Sequence, residues 1–362
     1  MDCPHIPELG NGEFSERWRQ SVASPRVPVS GSLELSFRCN LRCAHCYVLH
    51  REREVPSQRE LSRAEVSDIL NQAVDEGCQR LVLTGGEPLL RSDFLGICSD
   101  AKKKGLLVTL FTNGTLITPS IADYLAAWRP FVVEITLYGR TQATYERITG
   151  VPGSHRRCLR GIELLLERGV PLKLKTMLLT LNRHELSQMR AYANRLGVDF
   201  RFDGMVNPTL AGSRSPLGFR VLPEDIVLSE LADVNLRMRW AADYKRFYGV
   251  SRDSVFLYEC GAGLSSFHVD PYGRLSLCPV ARMPDYDLRS GSFAESWRAF
   301  LPELRLQPAN DPYECRQCDM RLLCAQCPAL ARLENGKPEQ RIEFLCRLAH
   351  LRAATYGTPG WT

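Results

Sequence analysis

The sequence predicts an α/β protein, a partial (β/α)6 barrel of TIM-like type followed by a small cysteine-rich domain. Two patterns carry the prediction. Between residues 33 and 205, six short β-rich apolar runs alternate with longer stretches whose apolar residues recur at helical spacing. Beyond that span the chain changes character: seven of its 14 cysteines fall between Cys260 and Cys346, among turns and few apolar residues.

The runs read as strands are LELSF (33–37), RLVLTG (80–85), LLVTLFTNG (106–114), FVVEITLYG (131–139), PLKLKTMLLT (171–180) and VDFRFDGM (198–205). The stretches between them, such as RAEVSDILNQAVDEG and RRCLRGIELLLERG, close on glycine, a usual helix stop. Strand followed by helix, repeated six times, implies a parallel sheet with the helices outside it. Ligands bind such sheets at the carboxyl ends of the strands, so residues just after each strand are the functional candidates. On that ground Arg201 and Asp203 are candidates for substrate contact, and Lys175 and Asn182 flank the fifth run. The stretch NPTLAGSRSPLGFRVLP (206–222) is rich in Pro, Gly and Ser and reads as a boundary, with a helical segment over 223–249 behind it. The expected division is an N-terminal extension (1–30), the barrel (31–210), a linker with a helical segment (211–250), the cysteine-rich domain (251–350) and a tail (351–362).

Composition narrows the setting. The 362 residues are 44% hydrophobic and 24% charged, with a net charge of +5 whose Lys and Arg are scattered along the chain. That argues against a dedicated nucleic-acid binder. No run approaches the length of a membrane span and the N-terminus has no signal-peptide character, so a cytoplasmic location without membrane partners is expected. Fourteen cysteines would there be reduced thiols, which makes metal a better explanation than disulfides. Cys78 and Cys98, within predicted helices, and Cys158, at the start of another, read as small buried thiols.

The densest cysteine stretch is FRCNLRCAHCYV, with Cys39, Cys43 and Cys46 spaced CxxxCxxC after the first strand. Three thiolates in one loop suit zinc poorly, since a structural zinc takes four ligands. They suit a cubic [4Fe–4S] cluster, in which three irons take cysteine and the fourth stays open. With Tyr47 beside the last cysteine, this loop resembles the signature of radical S-adenosylmethionine (SAM) enzymes, over about residues 31–205. The resemblance implies that Cys39, Cys43 and Cys46 hold a cluster whose open iron chelates SAM, and that reductive cleavage of SAM yields a 5′-deoxyadenosyl radical. One βα unit on, GGEP (Gly85, Gly86, Glu87, Pro88) is similar to the family's segment for the SAM amino group. Thr112 and Asn113, ending the third strand, and Thr136, in the fourth, stand where relatives contact SAM, and Arg147 matches an arginine that pairs with the SAM carboxylate in some of them. The fourth-strand segment TLYG, with Tyr138, departs from the Ser and Asp common there.

The rear cysteines run C-x12-G-x4-C, then C-x2-C-x5-C-x2-C, then a final Cys346. Two CxxC pairs alone would suit a zinc knuckle. The whole set resembles the SPASM domain, the auxiliary iron–sulfur module of peptide- and protein-maturing radical SAM enzymes. By that resemblance Cys315, Cys318, Cys324 and Cys346 hold one auxiliary [4Fe–4S] cluster, while Cys260, Cys278 and Cys327 hold another. Ser254 occupies the position of that second cluster's fourth cysteine in sulfatase-maturing relatives. Pro279 replaces the aspartate that acts as their base, which disfavours formylglycine chemistry.

The reading favoured is oxidative modification or crosslinking of a peptide substrate, with flavodoxin or ferredoxin as a reducing donor. About 30 residues precede the first strand, too few for an independent leader-binding module, so a precursor peptide would be held by a separate protein or by the barrel itself. Oxidation or rearrangement of a small metabolite, such as a haem precursor or an aminoglycoside, is the enzymatic alternative. A non-catalytic metal or redox protein is the third reading.

Overall fold

The computed structural model describes residues 26–48, 59–250, 255–310 and 313–357. Its strands are β1 (Ser30–Glu34), β2 (Arg80–Thr84), β3 (Leu107–Thr112), β4 (Val132–Thr136), β5 (Leu172–Met177), β6 (Asp199–Asp203), β7 (Ser266–Val269), β8 (Arg274–Ser276) and β9 (Tyr286–Asp287). They form one sheet in the order β6-β5-β4-β3-β2-β1-β7-β8-β9. β1 to β6 pair in parallel, neighbour to neighbour, which is the partial barrel the alternation predicts. β7 joins the same sheet by pairing in parallel with β1, and β8 and β9 follow it antiparallel.

The helices that position the site are α1 (Arg63–Asp75), α2 (Phe94–Lys103), α3 (Pro119–Ala127), α4 (Gln142–Thr149), α5 (Ser154–Glu167) and α6 (Leu186–Arg195). α7 (Pro223–Leu231), α8 (Val234–Phe247), α9 (Pro328–Asn335) and α10 (Glu343–Tyr356) complete the set. α1 begins on a capping box in which Ser62 and Glu65 satisfy each other's backbone N–H groups. Strand side chains alternate between two environments, as the pleat requires. Leu81, Leu83, Val108, Leu110, Val133, Ile135 and Leu174 are buried on the helix side. At about 1.5–3 kcal/mol for each large apolar side chain removed from water, this layer is the main support of the fold. The opposite face puts Thr84, Phe111, Thr136, Lys175, Met177 and Asp203 into the barrel interior.

Three expectations need correcting. The first strand is Ser30–Glu34 and not 33–37. Its glycine and serines look unfit for a strand, yet a Cβ on Gly31 would lie 2.2 Å from the Phe267 ring of β7, so only a small residue admits that neighbour. The helical segment over 223–249 is two helices, because the Asp233 side chain accepts from the Leu236 N–H and starts α8 anew. Cys78 lies in the turn between α1 and β2 and not within a helix, although it is buried, as are Cys98 and Cys158.

The joint between β1 and β7 holds a buried charge network. Glu34, 3% exposed at its side chain, takes both Arg282 terminal nitrogens at 2.8 Å. His268 Nε2 of β7 stands 3.4 Å from the same carboxylate, and its Nδ1 is 2.8 Å from Ser32 Oγ. Burial pushes Glu34 up, but His268 and Arg282 together hold it at about 2. Farther along, Glu334 of α9 pairs with Arg220, and Glu230 of α7 with Arg352 of α10, at 2.7 and 2.6 Å. These two pairs fasten the rear helices to the segments that follow β6. No helix among the described residues is long and apolar enough to cross a membrane.

Removing one partner from a buried pair leaves the other charge unmet, so Glu34→Ala should destabilise the protein by about 3–5 kcal/mol in urea titration. Because the folded Glu34 stays ionised down to about pH 2 against an ordinary 4.5, its contribution is present above pH 4.5. It is lost as pH falls towards 2, and Glu34→Ala should flatten that part of the acid profile.

Candidate functional site

The cysteine loop is held chiefly by backbone. β1 ends at Glu34, and residues 35–38 run on beside the loop after β2, where the Gly86 and Glu87 N–H groups donate to the Ser36 and Arg38 carbonyls at 2.7 and 2.8 Å. A Cβ on Gly85 would come within 2.3 Å of the Ser36 carbonyl oxygen, and one on Gly86 equally close to that of Arg38. Gly85 also sits at φ +137°, which side-chain-bearing residues avoid. The glycines of GGEP thus let two backbones touch, so they build the approach to Cys39 as well as line the cavity beside it.

On its other side the loop closes the end of a helix. The Arg42 and Ala44 N–H groups donate to the Thr149 and Ile148 carbonyls, at 2.8 and 2.9 Å, where α4 stops. These carbonyls have no partner within their own helix, and the cysteine loop supplies one. Leu41 is buried beneath.

Cys39, Cys43 and Cys46 face one cavity of about 470 Å³ at the carboxyl ends of the strands. Tyr47, Gly85, Gly86, Thr112, Asn113, Thr136 and Tyr138 share that cavity wall. Burial raises all three thiols, Cys39 to about 11, and Cys43 is further raised by its two neighbours. Among the described residues no three Cys, His, Asp or Glu side chains are set to hold a single metal ion. The donor set of three clustered thiols suits a [4Fe–4S] cube with one iron left over. Two buried atoms in the same wall lack any protein partner, His45 Nδ1 and Asn207 Oδ1. Buried polar atoms are normally paired, so these two ask for a hydrogen bond from a ligand, as SAM resting on the cluster would give. The residues therefore fit both groups.

Glu87 and Pro88 are buried and do not line the cavity. Both oxygens of Glu87 are engaged: Oε1 accepts from Thr112 Oγ1 and the Leu89 N–H at 2.7 and 3.1 Å, and Oε2 from the Asn113 N–H at 2.8 Å. Arg147 is exposed on α4 and is likewise not part of the wall. Lys175 does face in: its Nζ lies 3.3 Å from Glu134 and 3.0 Å from the centre of the Phe111 ring. Burial lowers it to about 7 against the pull of Glu134, which Arg201 shares at 2.8 Å. Asn182 is buried and pins the loop after β5 to the Tyr138 and Met177 carbonyls. His45 and Asn207 escaped the sequence reading, while Pro279, singled out there for the aspartate it replaces, lines the same wall. His45 sits inside the motif and stacks edge-on against Tyr138, whereas Asn207 and Pro279 reach the wall only through the fold.

The rear cysteines fall into two groups. Cys315, Cys318, Cys324 and Cys346 line a second cavity of about 410 Å³ together with Cys260 and Cys327. Burial and then Cys315, Cys346 and Cys318 raise Cys324 to about 11. Burial raises Cys327 as well, with Cys278 and Cys260 adding to it, so these three act on one another. Ser254 lies outside the described residues. Tyr47 is raised by burial and then by Glu34, with smaller contributions from Cys46 and Cys278.

A family model described as the Radical SAM superfamily matches residues 33–193. AdoMet-dependent heme synthase of Methanosarcina barkeri is 27% identical over 334 residues, covering 87% of this chain and 95% of that protein. Mycofactocin maturase MftC of Mycolicibacterium smegmatis is 26% identical over 329 residues, covering 86% and 81%. Among solved structures, Streptococcus suis SuiB bound to S-adenosylmethionine superposes with a TM-score of 0.70 at 16% identity, covering 95% of this chain and 83% of that one.

Burial pushes Glu87 up to about 7 from an ordinary 4.5. Between those values the unfolded chain releases its proton while the folded one keeps it, so stability falls as pH rises through the window and is level above it. Urea titrations of cluster-free protein should show this loss, on the order of a few kcal/mol, and Glu87→Gln should abolish it.

Proposed function

We propose that this chain, a radical SAM enzyme, oxidises a peptide, joining side chain to side chain or sulfur to carbon. The observation that carries the reading is the meeting of three thiols, the Gly85–Gly86 turn and two unpartnered buried polar atoms around one cavity. Cys39, Cys43 and Cys46 would hold the SAM-cleaving [4Fe–4S] cluster. When bound, that cluster supplies the electron that splits SAM to the 5′-deoxyadenosyl radical.

The chain's own residues then define the chemistry open to it. His45, lowered to about 4 by burial, presents a neutral ring to the cavity. Thr136 and Lys175 are paired across β4 and β5, so a hydroxyl and an amine stand together in the wall. Lys175, at about 7, can give or take a proton near neutral pH. Pro279 faces the cavity without a carboxylate, which keeps formylglycine formation disfavoured. Cys315, Cys318, Cys324 and Cys346 would hold one auxiliary cluster, and Cys260, Cys278 and Cys327 the other, and these would supply an acceptor for an electron leaving the substrate. A flavodoxin or ferredoxin would reduce the front cluster.

Similarity to the mycofactocin maturase along most of the chain supports the peptide reading. Similarity to the heme synthases, equally extensive, supports a second one, oxidation of a tetrapyrrole-like metabolite. Anaerobically reconstituted, reduced protein given SAM should form 5′-deoxyadenosine, and Cys43→Ala should form none. Candidate precursor peptides should accelerate that formation under the first reading and haem precursors under the second. Iron-loaded protein that stays silent with both substrate classes would overturn the enzymatic assignment.

A further inference from the structure

Asn113 belongs to a closed hydrogen-bond ring. Its Nδ2 donates to Asn40 Oδ1 at 2.9 Å, Asn40 Nδ2 donates to Thr115 Oγ1 at 2.8 Å, and Thr115 Oγ1 donates back to Asn113 Oδ1 at 2.6 Å. The direction of the ring is fixed. The Thr115 backbone N–H, which can only donate, also points at Asn113 Oδ1, at 2.9 Å, so the oxygen must face Thr115 and the amino group must face away. What the amino group faces is Cys39: Asn113 Nδ2 lies 3.9 Å from its Sγ, and the Leu41 N–H lies 3.4 Å from the same sulfur.

The backbone of Asn113 is fixed independently. Its N–H donates to Glu87, which also holds Thr112, and the Thr112 hydroxyl in turn receives the Gly114 N–H at 3.1 Å. Neither Glu87 oxygen is turned to the cavity, so the carboxylate of GGEP is spent on the end of β3. A chain of contacts thus runs from Glu87 through the Asn113 backbone and amide to a cysteine sulfur.

We propose that Asn113 is a positioning residue for the front cluster: its amide, aimed by the Asn40–Thr115 ring and seated by Glu87, donates to the Cys39 thiolate and raises the cluster's reduction potential before SAM arrives. The inference rests on Cys39, Cys43 and Cys46 holding a cluster. Hydrogen bonds to ligand sulfurs stabilise the more negative, reduced state, and outer-shell partners of this kind tune metal centres without touching the metal. A residue whose part was only to contact SAM would leave the SAM-free potential unchanged.

The test is an EPR-monitored redox titration of anaerobically reconstituted protein without SAM, following the signal that Cys43→Ala removes. Asn113→Leu, close in size but with no donor, should lower the reduced-to-oxidised ratio at fixed potential about tenfold, equivalent to about 59 mV for one electron. Thr115→Val opens the side-chain ring but keeps the Thr115 N–H that fixes the direction of the Asn113 amide, so the donor still faces Cys39 and the ratio should shift far less. If Asn113→Leu fails to take up iron, Asn113→Ser is titrated in its place with the same expectation. An unchanged potential overturns the proposal, and so does an equal shift in Thr115→Val, which would mark general loosening of the loop. Wild-type protein with no signal dependent on Cys43 would instead sink the cluster assignment itself.

Discussion

One buried carboxylate governs how the two halves of this chain meet. Ionised groups lose several kcal/mol of hydration when taken from water, so Glu34 is tolerable only where its partners are supplied in full. Arg282 and His268 supply them, and both belong to the rear of the chain. Glu34 therefore cannot be satisfied until β7 has docked on β1 and the turn after Cys278 has closed over it. Because Glu34 stands five residues before Cys39 and Arg282 four after Cys278, the same contact sets the front and rear thiols at a fixed separation.

The cysteine loop shows a different economy. It has little hydrophobic surface beyond Leu41, and it is positioned by giving its N–H groups to carbonyls that would otherwise be orphaned at the end of α4. Helix and loop each complete the other. The glycines of GGEP extend the principle, since a strand exit and a ligand loop can exchange hydrogen bonds at such range only where no Cβ intervenes.

Local pattern made much of this legible. The six-fold alternation gave the parallel barrel, and the CxxxCxxC spacing marked the front site, because each depends on residues near one another in sequence. Contacts formed by the fold left no such trace: Arg282 on Glu34, Asn207 in the cavity wall, the ring through Asn40, Asn113 and Thr115. The sequence places β1 too late because Ser30, Gly31 and Ser32 have poor strand propensity, while the neighbour that requires the smallness of Gly31, Phe267, lies far along the chain. The orientation of Arg147 could have been read from helical period, since Tyr145, Ile148 and Thr149 mark the buried face of α4 and leave residue 147 on the other.

The clasp between α4 and the cysteine loop is made of protein atoms alone. Backbone hydrogen bonds hold Arg42 and Ala44, and a buried Leu41 precedes them, so protein contacts alone brace the loop. The rear cysteines enclose a cavity under a small apolar cluster of Leu330, Ala331, Ile342 and Leu345, with far less of the chain to brace them. Scarcity or oxidative stripping would therefore act unequally along the molecule. The front presents its sulfurs on a loop already braced by backbone, while the placing of the rear sulfurs would depend more on whatever they hold.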